Sequence, residues 1–134
     1  MSTRKIRILV YSPAPLYHAI RHILADRDEY EIIGHRPSLR GPAEKLDPGP
    51  EVIVVNVKPV GTGICSAVLA IKHSRPHAKL ILICPLAELN PTGRRCGADA
   101  CLVPGDLLTR LPRTVSALSR SAVSEKKSRI GVAS

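Results

Sequence analysis

Short apolar runs punctuate this chain. Residues 6–11, 30–33, 52–57 and 80–84 are rich in Ile, Val and Leu, and a weaker run follows at 100–103. None of them alternates apolar with polar positions, as a strand with one wet face would. Runs without such alternation predict strands covered on both faces, hence a parallel sheet between two layers of helices. The connecting segments carry a different period. Leu16, Ala19, Ile20, Ile23 and Leu24 fall on one helical face, and Ile64, Val68 and Ile71 do the same between Gly63 and His73, where Arg75-Pro76 closes the helix. Leu111, Val115 and Leu118 repeat the stripe near the end. Pro112 suits that last helix if it lies in the first turn, after a cap at Asp106 or Thr109. Two crossovers read as poor helices. One, 36–50, holds Pro37, Gly41, Pro42, Pro48, Gly49 and Pro50 and leaves only 43–46 for a turn or two; in the other, Asn90-Pro91-Thr92-Gly93 interrupts 86–96. With right-handed crossovers, this order predicts an α/β fold of three layers, αβα, around a five-stranded parallel sheet of order 2-1-3-4-5.

Composition narrows the picture. The 134 residues suffice for one domain, 1–119, followed at 120–134 by a basic, Ser-rich tail or linker with no apolar period, read as disordered. Hydrophobic residues make up 44% of the chain, yet Phe and Trp are absent and Tyr11, Tyr17 and Tyr30 are the only aromatics, so the core must be aliphatic. That poverty argues against a reader of single-stranded nucleic acid, which stacks bases on aromatic rings. The first apolar run is too short for a signal peptide, and no stretch approaches the ~18 residues of a membrane span. Cys65, Cys84, Cys96 and Cys101 form no C-x-x-C pair and, for the most part, have apolar or Gly/Ala neighbours, which predicts free thiols in a cytoplasmic protein. The net charge is +9, of which Arg120, Lys126, Lys127 and Arg129 against Glu125 place three units in the tail.

Several pieces, in order and at matching spacings, resemble the receiver domains of bacterial response regulators, and among them those of transcription factors with a LuxR/NarL-type helix-turn-helix. They are Ile6-Arg7-Ile8-Leu9-Val10 leading to Pro15-Leu16, Tyr30-Glu31-Ile32-Ile33-Gly34, Pro50-Glu51-Val52-Ile53-Val54-Val55, Arg75-Pro76-His77-Ala78-Lys79-Leu80-Ile81-Leu82-Ile83 and Gly97-Ala98-Asp99-Ala100. The resemblance covers roughly residues 4–119 and implies a CheY-like, flavodoxin-like fold. It also implies a phosphorylation pocket, and there this sequence departs from the pattern at all five signature positions. Ser12 and Pro13 stand where two acids hold Mg²⁺, and Asn56 stands in place of the phosphoacceptor Asp. Cys84 replaces a hydroxyl residue and Pro104 a Lys. Cys101 takes the place where receivers often carry a switching aromatic. Mg²⁺ needs carboxylates, and phosphoryl transfer needs the metal and cationic charge, so the pocket is expected to be inert.

The remaining candidates are weaker. His18 and His22 have a metal-binding spacing but no third ligand, and Pro76 separates His73 from His77, so no metal or other cofactor is expected. Cys84 could serve as a nucleophile at a sheet edge, although no base or cation adjoins it and no C-x5-R loop follows. Cys96 and Cys101 flank a turn and could approach, with buried structural thiols the plainer account. Gly61-Thr62-Gly63 could receive an anion at a helix start, but no P-loop pattern follows. Arg94, Arg95, Arg110 and Arg113, with Cys101, belong to the fourth crossover, the fifth strand and the last helix, which in receivers form the usual surface for dimers and output partners. The expectation is therefore a pseudo-receiver: a regulatory protein-interaction module, not an enzyme, docking a protein partner or a second copy by that face. The alternatives are the N-terminal domain of a LuxR-type regulator whose helix-turn-helix lies outside this chain, and a small enzyme using Cys84. Without such a DNA-binding domain, nucleic-acid binding is expected to be at most weak and nonspecific, and no membrane contact is expected.

Overall fold

A computed structural model describes residues 5–37, 49–57, 63–85 and 90–133, with 63, 90 and 121–133 described by backbone alone. Strands β1 (Ile6–Tyr11), β2 (Tyr30–Arg36), β3 (Val52–Asn56), β4 (Lys79–Ile83) and β5 (Ala100–Leu102) alternate with helices α1 (Ala14–Ala25), α2 (Gly63–Ser74), α3 (Asn90–Arg95) and α4 (Leu107–Ala133). The sheet is parallel and its order is β2-β1-β3-β4-β5, as the sequence predicts. The turn or two expected at 43–46 and the loop residues 61–62 lie outside the described residues. Among the described residues no helix is long and apolar enough to cross a membrane.

The lack of alternation in these runs is explained by two cores. Ile8, Val10, Val52, Val54, Ile81, Ile83 and Leu102 face α1 and α4, where they meet Ile20, Leu24, Leu107, Leu111 and Val115. Their neighbours Leu9, Ile53, Val55, Leu80, Leu82 and Cys101 face the other way and meet Ile64, Val68 and Ile71 of α2. Successive strand residues point to opposite faces, so both parities must be apolar when both faces are covered. Within α1, Ala19 is exposed and Tyr17 packs against the core instead, which shifts the predicted stripe by a fraction of a turn.

Three local expectations are corrected. Asn90-Pro91-Thr92-Gly93 opens α3 rather than interrupting a helix, because Pro in a first turn gives up an amide that has no intrahelical acceptor. Pro112 is the sixth residue of α4, not part of its first turn; a 3-10 turn at Pro104–Asp106 leads straight into the helix at Leu107. Asp106 pairs there with Arg110 at 3.7 Å. Finally, α4 continues to Ala133, past the point near Ser119 where the apolar stripe stops, since helix hydrogen bonds can propagate beyond the packed face that nucleates them.

Polar contacts pin the layers. Tyr30 Oη donates to the Pro112 carbonyl at 2.8 Å and lies 2.6 Å from Ser116 Oγ, tying edge strand β2 to α4. At the same amino-terminal end of the sheet, Ser119 Oγ donates to buried Glu51 at 2.9 Å, and Arg7 approaches the same carboxylate at 3.4 Å. Asp99 explains the Gly-Ala-Asp turn structurally: its Oδ2 accepts from the Leu80 amide and from Lys72 Nζ, both at 2.7 Å, which joins the starts of β4 and β5 to the end of α2.

Candidate functional site

In a parallel sheet of this order, the carboxyl ends of the strands form the edge where ligands bind. Four of those ends lie side by side here: Ser12-Pro13 after β1, Asn56 closing β3, Cys84 after β4 and Pro104 after β5. The topology thus brings together the five residues that the sequence marks as a pocket. Ser12 is buried and turns its hydroxyl onto the Pro13 carbonyl at 3.1 Å. Its own carbonyl accepts from His35 Nε2 at 2.7 Å, and the His35 ring stacks on Tyr17 with centroids 3.6 Å apart. This His35–Tyr17 stack closes the β1–β2 side of the edge. Sequence pattern gave no hint of it, because the two residues belong to different elements. Pro13 is exposed at the start of α1, Asn56 is half-buried, and Pro104 is exposed in its turn.

The residues present do not fit Mg²⁺. From Tyr11 to Pro13, Asn56 to Val57, Ile83 to Pro85 and Leu102 to Pro104 there is no carboxylate and no Lys or Arg, whereas a hard dication takes charged oxygen ligands. Among the described residues, no three His, Cys, Asp or Glu cluster to hold a metal. His18 and His22 are both exposed on α1, consistent with a solvated face.

Cys84 is fully buried beside Cys101, and its backbone amide donates to the Leu102 carbonyl at 2.8 Å. Burial, reinforced by the neighbouring Cys101 thiol, pushes the Cys84 pKa from 9.0 up to about 11. Burial raises Cys101 too, opposed in part by the Arg94 guanidinium. At neutral pH both are thiols, inert as nucleophiles, because the thiolate is the reactive form. The folded chain holds the Cys84 proton more tightly than the unfolded one. Its contribution to stability is therefore intact below about pH 9 and lost as pH rises to about 11. In the reduced chain at pH 8, iodoacetamide is expected to modify Cys65 and Cys96 first. Cys84 should lag them by roughly a hundredfold or more, its thiolate fraction being about that much smaller. Peptide mapping of the alkylated chain checks this, and equal labelling of all four would contradict the buried pair.

The other two cysteines depart from the sequence expectation of free thiols. Cys65, in the first turn of α2, is joined by a disulfide to Cys96, just past α3, with Cα atoms 5.1 Å apart. Their separation of 31 residues hides the pairing from spacing rules, and it is α3 folding back over α2's edge of the sheet that brings them together.

The predicted docking residues divide. Arg94 and Arg95 on α3, and Arg110 and Arg113 on α4, are all solvent-accessible, and the two helices flank edge strand β5 from opposite faces of the sheet. Cys101 does not belong with them: it is only 4% exposed and lies beneath α3, where a Cβ on Gly93 would come within 2.8 Å of its sulfur. It supports this face from below. Leu108 is 74% exposed at the start of α4, off the Leu111–Val115–Leu118 stripe.

Comparison with known proteins places this geometry in a class. No family model matches the chain by sequence, and no curated protein does. Solved structures do match. The signal receiver domain of the putative response regulator NarL from Mycobacterium tuberculosis aligns over 90% of this chain and 98% of its own, with TM-score 0.63 and 17% identity. The response regulator domain of Thermotoga maritima CheB aligns over 87% and 98%, with TM-score 0.68 and 16% identity. RcsB from Salmonella enterica serovar Typhimurium, bound to promoter rprA, aligns over 97% of this chain and 68% of its own, with TM-score 0.69 and 17% identity. The chain has the fold of response-regulator receiver domains.

Proposed function

We propose that this chain is a pseudo-receiver: a regulatory module of bacterial cytoplasmic signal transduction that keeps the receiver fold, has lost its phosphoryl chemistry, and acts by docking. The observation that carries this reading is the ligand edge itself, where Ser12, Pro13, Asn56, Cys84 and Pro104 converge without one charged group. Phosphoryl transfer depends on charge placed around the equatorial oxygens, and none of the described residues at these strand ends provides it. The module is not an enzyme and needs no cofactor; the burial and raised pKa of Cys84 work against a catalytic thiol there.

Docking falls to the face of α3, β5 and α4. Arg94 and Arg95 on α3, and Arg110 and Arg113 on α4, flank the short strand β5. Four arginines on each copy would repel across a two-fold axis, so an acidic protein surface suits this face better than a second copy. The test compares the chain with a variant carrying Arg94→Glu, Arg95→Glu, Arg110→Glu and Arg113→Glu, using a partner captured from the native cell, purified and titrated at several salt concentrations. The variant should bind at least about a hundredfold more weakly, since interfacial Arg anchors contribute about 2 kcal/mol or more each. Arg27→Glu, beside edge strand β2 at the far edge of the sheet from β5, should bind as the parent does. Equal binding by the four-fold variant would remove the docking reading.

A second reading keeps the module as the N-terminal part of a DNA-binding regulator longer than this chain. It is favoured by the alignment to 68% of promoter-bound RcsB, and by α4, which runs on to Ala133 and would lead toward a second domain. On that reading 120–134 is a linker, and sequence-specific DNA binding belongs to the domain beyond it. By itself the chain would bind DNA weakly and without sequence preference, with affinity that falls steeply with salt.

A further inference from the structure

The disulfide joins two elements with very different anchorage. Helix α2 is twelve residues long and buries Ile64, Val68 and Ile71 in the core. Helix α3 has six residues, too few to persist without outside support. Its own order comes from a C-terminal closure in which the Ala98 amide donates to the Gly93 carbonyl and the Gly97 amide to the Arg94 carbonyl, both at 3.1 Å. Gly97 takes φ 114° to allow it, a conformation that glycine adopts without cost. Gly93 then rests on Cys101 and Leu82. The Cys65–Cys96 bond is the covalent tie between this small helix and the body, and Cys65 is exposed to solvent.

We propose that the Cys65–Cys96 pair is a thiol–disulfide exchange site for low-molecular-weight thiols, and that its state sets how firmly α3 is held on the docking face. The proposal rests on the pseudo-receiver reading for the use of that face, and it supplies the input that the inert pocket no longer provides. Disulfides in reducing compartments are chiefly transient and redox-sensing, which fits a bond placed at the surface beside an output helix. The chemistry is balanced. A small thiolate attacks Cys65 Sγ, the bond to Cys96 breaks, and Cys96 leaves as a thiolate that takes up a proton. A second small thiol attacks the mixed disulfide, releasing the small-molecule disulfide and the Cys65 thiol. Two electrons and two protons pass from the small thiols to the protein, and the reverse steps restore the bond. Cys84 and Cys101 stay out of the exchange because they are buried.

The test equilibrates the full chain with graded ratios of reduced to oxidised glutathione, maps thiols by alkylation, and follows amide hydrogen exchange over 90–98. Cys65 and Cys96 should titrate together while Cys84 and Cys101 remain thiols. Exchange over 90–98 should be roughly tenfold or more faster in the reduced chain, as local opening is freed from the cross-link. Cys65→Ser and Cys96→Ser should show the fast rate at every ratio; should either fail to fold, reduction of the unaltered chain gives the same readout. A pair that never forms the bond, or exchange over 90–98 that ignores its state, overturns the proposal. Failure of the docking reading shows separately: redox-dependent exchange would persist while the four-fold arginine reversal left partner binding unchanged.

Discussion

Incubated with acetyl phosphate and Mg²⁺, the chain is expected to gain no phosphoryl group, and Asn56→Asp by itself is expected to change nothing. Asn56 offers an uncharged amide in place of a nucleophilic carboxylate, but restoring that carboxylate leaves Ser12, Pro13 and Pro104 where charge is needed. Ser12 is moreover committed to the Pro13 carbonyl, and its backbone to His35. Each missing electrostatic contact costs roughly 10²–10³ in rate in comparable sites, so several absent at once put labelling beyond detection. Phosphorylation should appear only when Asn56→Asp is combined with Ser12→Asp, Pro13→Asp and Pro104→Lys. Intact-mass measurement decides the matter, and a phosphorylated parent chain would remove the pseudo-receiver reading at once.

Opening the Cys65–Cys96 bond is expected to lower unfolding stability by about 3–4 kcal/mol, the loop-closure entropy of a cross-link spanning some thirty residues. Against the roughly 5–15 kcal/mol of a whole domain this is a large fraction, yet the two aliphatic cores remain and the chain should still fold. Urea unfolding of oxidised protein against reduced protein, and against Cys65→Ser, measures it; the latter two should coincide. Cys84→Ser in the oxidised chain separates this effect from that of core packing. Superimposed curves for oxidised and reduced chains would mean that the bond closes no loop that matters.

Much of this protein is legible residue by residue. The strong runs are legible because a parallel strand covered on both faces carries apolar residues of both parities, and the helical stripes because α1, α2 and α4 each press one face on the sheet. Asn56, Ser12 and Cys84 are marked by the resemblance to receivers, whose pocket residues stand at the ends of such runs. The departures have other causes: Tyr17 rather than Ala19 packs on the core, Pro112 is buried within α4, and Asn90-Pro91-Thr92-Gly93 starts a helix because Pro suits a first turn. The Cys65–Cys96 pair and the His35–Tyr17 stack have no sequence signal at all, and Cys101, expected on a surface, is covered by α3.

By itself, then, the sequence determined the layer architecture and the strand order, and its resemblance to receivers marked the uncharged residues at the strand ends. The first two follow from apolar period and crossover handedness, which are local or nearly so. Only the tertiary structure decided which cysteines meet, which stay buried, and which arginines border an open edge strand. Such facts depend on how a short helix folds back over a sheet edge, a contact between residues distant in the chain that no single-sequence period records.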